Sequence, residues 1–484
     1  MWELFKIQLV GIVLSIFCTV YWSKLYPKHL FLSRKILHIL VISLSGNIIF
    51  LLPDEYLKIV IIIISISSFI LFFLVQKGFF KSDQRKSWGI FYFPVGLLFL
   101  LLVFPNEREL IGIAYYILAF SDGFSAIFGR LSPIWLPSKF RKINHINWSP
   151  DSKTMIGSMV FALSTALILW LFLSADAASN FKNLVAVIWF IALILMGVEL
   201  SASKGSDNLF VPIFGFLFLH NIENIFLMLN EHLIYYLPLL LMGIVFIKKF
   251  NWLSNSGIFQ AILLLTSMVM AKFTLLPILL FFILGSISSK LNKVQKSDSK
   301  HGKARDGYQV LANGGVVLLL AWLKIESQNE IFSILMYVSI CISMADTFSS
   351  EFGMKFGGQP WDIIRFKRIN QGLSGGVSLA GTIASFMGAG IISLCYFYLH
   401  SDGFVTLLIL FSGVMGSLVD SVLGSLFQPK FKSEFGEIMD FGKKEDRVSG
   451  YALFSNDFVN FLSNVIVTGL SYFAILVYFM YLFG

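Results

Sequence analysis

Runs of about twenty apolar residues, one after another from end to end, limit what this chain can become more than any other feature. A helix of that length matches the hydrocarbon core of a bilayer. Inside hydrocarbon only helices and closed barrels satisfy every backbone N–H and C=O. The runs fall near 4–23, 36–52, 57–76, 88–104, 109–130, 153–173, 183–203, 209–227, 232–248, 256–271, 273–290, 307–324, 331–353, 373–398, 404–428 and 457–482. The expected fold is therefore an all-α, polytopic transmembrane helical bundle of about 14–16 spans, built as two related halves in parallel orientation. Composition agrees: 57% of the 484 residues are hydrophobic and 13% charged, against about 45–50% and 25% in soluble domains. The first run has no small-residue cleavage site behind it and reads as a span, not a removed signal peptide.

The loops alternate in charge. Lys24, Lys28, Arg34 and Lys35 share one loop, and Lys77, Lys81, Arg85 and Lys86 another. Residues 130–153, 290–305, 355–368 and 430–447 are also basic, whereas the loops between them are poor in Lys and Arg. The positive-inside rule puts the N-terminus outside and the basic loops in the cytoplasm. The net charge of +9 is thus assigned to cytoplasmic loops, and no nucleic-acid partner is expected.

An internal repeat sits on this frame. Asp122-Gly-Phe-Ser-Ala-Ile-Phe-Gly129 lies over Asp346-Thr-Phe-Ser-Ser-Glu-Phe-Gly353, and Thr154-Met-Ile-Gly157-Ser158 over Ser378-Leu-Ala-Gly381-Thr382. Both aspartates stand 35 residues before their glycine. Repeats mark related structural units. A third acid follows in each half, Glu199 and Asp420. Carboxylates inside spans are costly and mark functional sites. Together they would suit Mg²⁺, which takes a few carboxylates plus phosphate and water. A Gly/Ser/Thr-rich helix start offers N–H groups to phosphate. Arg130, Lys139, Arg141, Lys142 and Lys153 in the first half, and Arg365, Lys367 and Arg368 in the second, would neutralise it. Two other readings stand beside this one: Asp122 as an interhelical hydrogen-bonding residue, and the glycines as packing positions. Paired repeats with buried acids also suit a lipid transporter or flippase.

Four motifs in the first half resemble phytol and dolichol kinases. They are Arg34-Lys35-Ile-Leu-His38, Asp122-Gly-Phe-Ser-Ala-Ile-Phe-Gly129-Arg130, Lys153-Thr-Met-Ile-Gly157-Ser158, and Glu199 followed by Gly205-Ser-Asp207-Asn208-Leu-Phe-Val-Pro212. The second half resembles the transmembrane protein 19 family, which includes plant phytyl-phosphate kinase. Its motifs are Arg305-Asp306-Gly-Tyr-Gln309 with Asn313-Gly-Gly, Ala345-Asp346-Thr347 with Glu351-Phe-Gly353, Ser374-Gly375-Gly376, Asp420-Ser421, and Asn456-Asp457-Phe-Val-Asn460. Gly307 and Phe348 depart from that pattern, where a larger residue and a Trp are usual.

The resemblance implies two fused kinases, residues 1–228 acting on an isoprenoid alcohol and 229–484 on its monophosphate, with CTP as phosphoryl donor and Mg²⁺ as cofactor. Asp122, Glu199, Asp346 and Asp420 are then the expected centres of the chemistry. Asp207, Glu351 and Asp457 join them as metal ligands. Nucleotide or phosphate would meet Arg34, Lys35, Arg130, Lys153, Thr154, Gly157 and Ser158 in one half, and Arg305, Lys367, Arg368, Ser374, Gly375 and Gly376 in the other. His38, Asn208, Asn313, Asn460 and Asn464 are secondary candidates. Asp457, Asn460 and Asn464 share one face of the last helix by their spacing. Both sites are expected on the cytoplasmic side of a multi-pass membrane protein. A membrane cytidylyltransferase, making a CDP-activated lipid, would use the same cofactors.

Overall fold

The apolar runs become helices, and the computed structural model describes residues 30–76, 88–146, 153–174, 181–229, 247–291, 304–432, 438–440, 442 and 446–483, with scattered positions between 8 and 22. Among these, ten helices are long and apolar enough to cross a membrane. The expected span 209–227 is instead a pair, Asp207–His220 and Ile222–Leu229, bent by 71°. Gly89–Val103, Asn255–Met270 and Leu276–Lys290 are apolar but shorter. A 15-residue helix rises about 22 Å, less than a hydrocarbon core of about 30 Å. The expected span 232–248 lies almost wholly outside the described residues, and 4–23 is described only at scattered positions.

The chain divides into two units, Met1–Leu241 and Met242–Gly484. In the first, α1 (Leu30–Phe50), α2 (Asp54–Gln76) and α3 (Gly89–Val103) precede α4 (Arg108–Tyr116). A π-helical turn, Ile117–Asp122, joins α4 to α5 (Gly123–Trp135). Then come α6 (Ser138–Asn144), α7 (Met155–Leu173), α8 (Phe181–Ser201) and α9 (Asp207–His220). The α4–π–α5 helix is the centre and packs on α1, α7 and α9. Its Ala114, Tyr115, Ile117, Leu118 and Ala119 have no exposed surface. By contrast α2 exposes Ile59, Ile62, Ile63, Ile66 and Phe69, the surface of a helix that meets lipid. Gly123 lets α1 come close: a Cβ there would lie 2.3 Å from Ile39 Cγ1.

The second unit contains α10 (Asn255–Met270), α11 (Leu276–Leu291), α12 (Gly307–Ser327) and α13 (Ile331–Phe356), then α14 (Leu379–His400), α15 (Gly403–Phe427) and α16 (Asn456–Phe483). Here α13 is central, packed on α11, α12, α14, α15 and α16. Two small antiparallel sheets join the helices: β1 (Trp361–Asp362) with β2 (Gly376–Val377), and β3 (Lys430–Lys432) between β4 (Ile438–Met439) and β5 (Arg447–Ser449).

Each unit contains the same helix crossing. Thr154 Oγ1 accepts from Gly157 N–H at 3.1 Å, and Ser378 Oγ from Gly381 N–H at 3.1 Å. Ser158 and Thr382 hydroxyls then donate to the Thr154 and Ser378 carbonyls, each at 3.1 Å. A Cβ on Gly157 would lie 2.8 Å from Ser125 O, and one on Gly381 3.1 Å from Ser349 O. These N-caps and close glycine contacts keep the register read from the sequence.

Candidate active site

The first unit gathers residues from all four of its motifs. Asp122, at the end of the π turn, and Glu199, near the end of α8, are each 4% exposed. Asp207 opens α9 after the Lys204-Gly205 turn, where both residues take positive φ. One carboxylate oxygen from each lies within 4.8 Å of the other two. Charges that close repel by roughly 3 kcal/mol per pair at an effective dielectric near 20, so the cluster depends on cations. Lys35 Nζ donates to Asp122 Oδ2 at 2.9 Å, and His38 Nε2 lies 3.0 Å from the same oxygen. Lys153 Nζ donates to Glu199 Oε1 at 2.6 Å and to the Glu199 carbonyl, and lies 3.8 Å from Asp207 Oδ2.

Local structure aims these groups. Lys35 and His38 share one face of α1 by their spacing. Lys153 is set by an extended bridge, His145 against Thr154, with Ile146 N–H donating to the Lys153 carbonyl at 2.9 Å. Burial works against the Lys153 ammonium, but the Glu199 and Asp207 carboxylates outweigh it and hold its pKa above the usual lysine value. A π turn inside a span is rare and frequently marks a functional site.

Other expected residues play different parts. Asn208 Nδ2 donates to the Gly89 carbonyl at 3.0 Å and ties α9 to α3. The helix start at Thr154 is already filled: Asn144 Oδ1 takes the Ile156 N–H at 3.0 Å, and Thr154 takes that of Gly157. These bonds occupy N–H groups that the sequence reading reserves for phosphate. Nothing in the sequence pattern marks Asn144, which also donates to Ser132 Oγ at 2.6 Å. Arg34 and Arg130 are exposed, and Arg130 stacks on Phe31 at 4.2 Å from the ring centre. An apolar groove of about 310 Å³, lined by Tyr116, Phe120, Phe124, Leu167 and Leu171, opens between the central helix and α7. The i, i+4, i+8 spacing of its aromatics puts it on a different face from Asp122.

In the second unit Asp346 (α13) and Asp420 (α15) lie close enough to repel each other. Ser463 Oγ donates to Asp420 Oδ2 at 3.4 Å, and the Asn460 amide reaches the same oxygen at 3.0 Å. Among the described residues no Lys, Arg or His forms an ion pair with either aspartate. Asn464 is a packing residue: its Nδ2 donates to the Ser339 carbonyl and Ser343 Oγ, both at 3.1 Å. Ser343 Oγ donates in turn to the Asn313 carbonyl at 2.8 Å. Asp457 is half-buried in the first turn of α16.

The basic residues expected around this pair are spread out. Arg305 donates to the Gly285 carbonyl at 2.9 Å and Ser289 Oγ at 3.1 Å. Burial lowers its pKa, and the Glu351 carboxylate offsets part of that. The next residues, Asp306 and Gln309, form a reciprocal capping box at the start of α12, which the Asp-x-x-Gln spacing announces. Lys367 and Arg368 are exposed between β1 and β2, with Arg368 over the Trp361 ring. Ser374-Gly375-Gly376 packs on α15: Gly375 has φ +86°, and a Cβ on it would lie 2.5 Å from Ser425 Cβ. Three charges that the sequence reading does not single out hold this loop. Lys430 Nζ donates to the Ser374 carbonyl at 3.0 Å, Ser374 N–H donates to Asp440 Oδ2 at 2.7 Å, and Ser425 Oγ donates to Asp362 Oδ1 at 2.8 Å.

Comparison with known proteins bears mainly on the second unit. Residues 238–468 match the family described as Integral membrane protein DUF92. An uncharacterized membrane protein of Methanocaldococcus jannaschii is 34% identical over 188 residues, covering 38% of this chain and 78% of that protein. Protein PGR of Arabidopsis thaliana is 28% identical over 256 residues, 45% of this chain and 88% of that protein. Protein VTE6, chloroplastic, of the same plant is 26% identical over 191 residues, 37% of this chain and 57% of that protein. No solved structure matches the chain. The Asp346–Asp420 pair, the capping box and the Ser374–Gly376 loop all lie inside the matched residues, and the chain is an integral membrane protein belonging to the DUF92 family.

Proposed function

We propose that the chain is a membrane phosphotransferase acting twice on an isoprenoid alcohol of the phytol, geranylgeraniol or farnesol class. The first unit makes the monophosphate and the second the diphosphate, with CTP as donor and both sites facing the cytoplasm. The observation that carries this reading is the meeting of Lys35, His38, Asp122, Lys153, Glu199 and Asp207 in one site. They come from four motifs that resemble phytol and dolichol kinases, and a merely structural lysine or acid has no reason to follow that set. The resemblance of the second unit to phytyl-phosphate kinase supports the second step.

Phosphoryl transfer asks a protein for positioning and charge, and little covalent chemistry. The all-oxygen donor set of Asp122, Glu199 and Asp207 fits a hard cation such as Mg²⁺. Bound there, Mg²⁺ would supply the positive charge that shields the donor's phosphates. Asp122, flanked by His38, would orient the acceptor hydroxyl. Lys35, on the same carboxylate, keeps its ammonium beside the transferring group. Exposed Arg34 and Arg130 would meet the outer phosphates. In the second unit Asp346 and Asp420 would hold the cation, with Asn460 and Ser463 steadying Asp420.

The test is direct. Purified full-length protein is given CTP, Mg²⁺ and, separately, farnesol, geranylgeraniol and phytol, and lipid products are weighed by mass spectrometry. The expected products are monophosphate and diphosphate with CDP released. Pyrophosphate with a CDP-lipid would indicate a cytidylyltransferase instead, and no product from any of the three would refute the kinase reading.

A further inference from the structure

Lys153 lies against two of the three acids that cluster in the first site. Its ammonium bonds Glu199 through both Oε1 and the backbone carbonyl, and reaches toward Asp207. The same two acids, with Asp122, put their oxygens within 4.8 Å of one another. Lys153 also differs from Lys35 in its mounting. Lys35 rises from a long helix, whereas Lys153 stands in an extended segment just before the Thr154 cap. Carried into the second unit by the register that aligns Thr154 with Ser378, its counterpart is Val377. Asp346 and Asp420 of that unit accordingly have no ion-pair partner among the described residues.

We propose that Lys153 is a built-in competitor for the divalent cation of the first site. Its ammonium satisfies Glu199 and Asp207 in the absence of metal, gives them up when the cation enters, and is then free to meet the donor's phosphate. This rests on the divalent-cation reading of the Asp122–Glu199–Asp207 cluster. Two positive charges on those oxygens repel each other, so cation binding favours the exchange. It links metal binding to the arrival of a negative ligand, because the displaced ammonium needs a new partner. The second unit, with Val377 in that place, takes its cation without competition.

The experiment measures Mn²⁺ binding in the absence of nucleotide, on the full-length protein in detergent, by electron paramagnetic resonance of free Mn²⁺. All variants carry Asp346→Asn and Asp420→Asn, so only the first unit's acids report. Lys153→Gln is expected to bind Mn²⁺ at least about tenfold more tightly than the parent. Lys153→Arg, which keeps a cation in place and guards against misfolding of the Gln variant, is expected to bind no more tightly than the parent. Equal or weaker binding by a folded Lys153→Gln, or tighter binding by Lys153→Arg, overturns the exchange. Glu199→Gln separates the two ideas. If it abolishes binding while Lys153→Gln changes nothing, the cation site stands and the exchange fails. If it leaves binding untouched in both backgrounds, the cation reading fails and takes the exchange with it.

Discussion

Two spans carry the same Asp-x-Phe-Ser-x-x-Phe-Gly stretch and cross the next helix at the same glycine, yet they surround their aspartates differently. Asp122 closes a π turn and meets Lys35 and His38, with Lys153 holding the neighbouring acids. Asp346 lies in an uninterrupted α-helix beside Asp420, with hydroxyl and amide donors but no cation among the described residues. The shared parts are those of scaffold: caps, glycine contacts and crossing. The parts that differ are those of charge. One cluster pairs its acids with lysines, and the other, among the described residues, meets Asp420 with neutral donors.

The largest effect expected tests the shared scaffold. Gly157→Val and Gly381→Val each drive a side chain into backbone contacts near 3 Å, costing about 3 kcal/mol, the upper end of the overpacking range. Thermal unfolding in detergent should show similar losses for both. A large loss for one and none for the other would mean the two crossings are not equivalent. Next comes the charge contrast. Asp122→Asn removes the partner of Lys35 and should destabilise the protein by about 2 kcal/mol, the scale of a hydrogen bond to a charged group. Asp346→Asn removes a carboxylate with no ion-pair partner among the described residues and should leave stability unchanged or raised. The opposite ordering in thermal melts would erase the distinction between the sites.

The smallest effect concerns the loop around Ser374 in the second unit. Burial pushes the Asp362 carboxyl up, but the Arg365 N–H, the Ser425 hydroxyl and the Ile364 N–H outweigh it and hold its pKa below the usual value. A carboxyl whose folded pKa is depressed contributes stability above its unfolded pKa of about 3.9 and loses it as pH falls through the lower folded value. Stability should therefore drop, by less than in the preceding variants, as pH falls below about 4. Asp362→Asn should flatten that part of the melting-temperature profile, and an unchanged slope would remove Asp362 from the account.

Much of this arrangement is legible in the residues. The aspartates, the glycines and their Thr or Ser caps are visible because spacing along a helix is periodic and local. The acids drawn into the first site are visible because charge in an apolar run is conspicuous. Partnership is another matter. Lys153 reads as a phosphate ligand because a basic residue beside a Gly/Ser helix start invites that role, but its ammonium is spent on Glu199, which lies two helices away. Thr154, Gly157 and Ser158 likewise turn inward. The π turn has no sequence mark here, since nothing in Ile117–Asp122 announces an extra residue per turn. Asp362, Lys430 and Asp440 look like ordinary loop charges until the chain folds them around Ser374. The Asp306–Gln309 capping box has a spacing visible in the sequence, but the sequence reading takes those residues only as part of a family motif.

If each unit performs one transfer, inactivating one should leave the other's step intact. Asp122→Asn and Asp346→Asn proteins, both shown to be folded, are each supplied with CTP and Mg²⁺, and with geranylgeraniol or geranylgeranyl monophosphate. The account predicts that Asp122→Asn loses at least about a hundredfold, or about 2.7 kcal/mol of transition-state stabilisation, on the alcohol while still converting the monophosphate. Asp346→Asn should convert the alcohol and stop at the monophosphate. Equal loss of both conversions in both folded variants would contradict it.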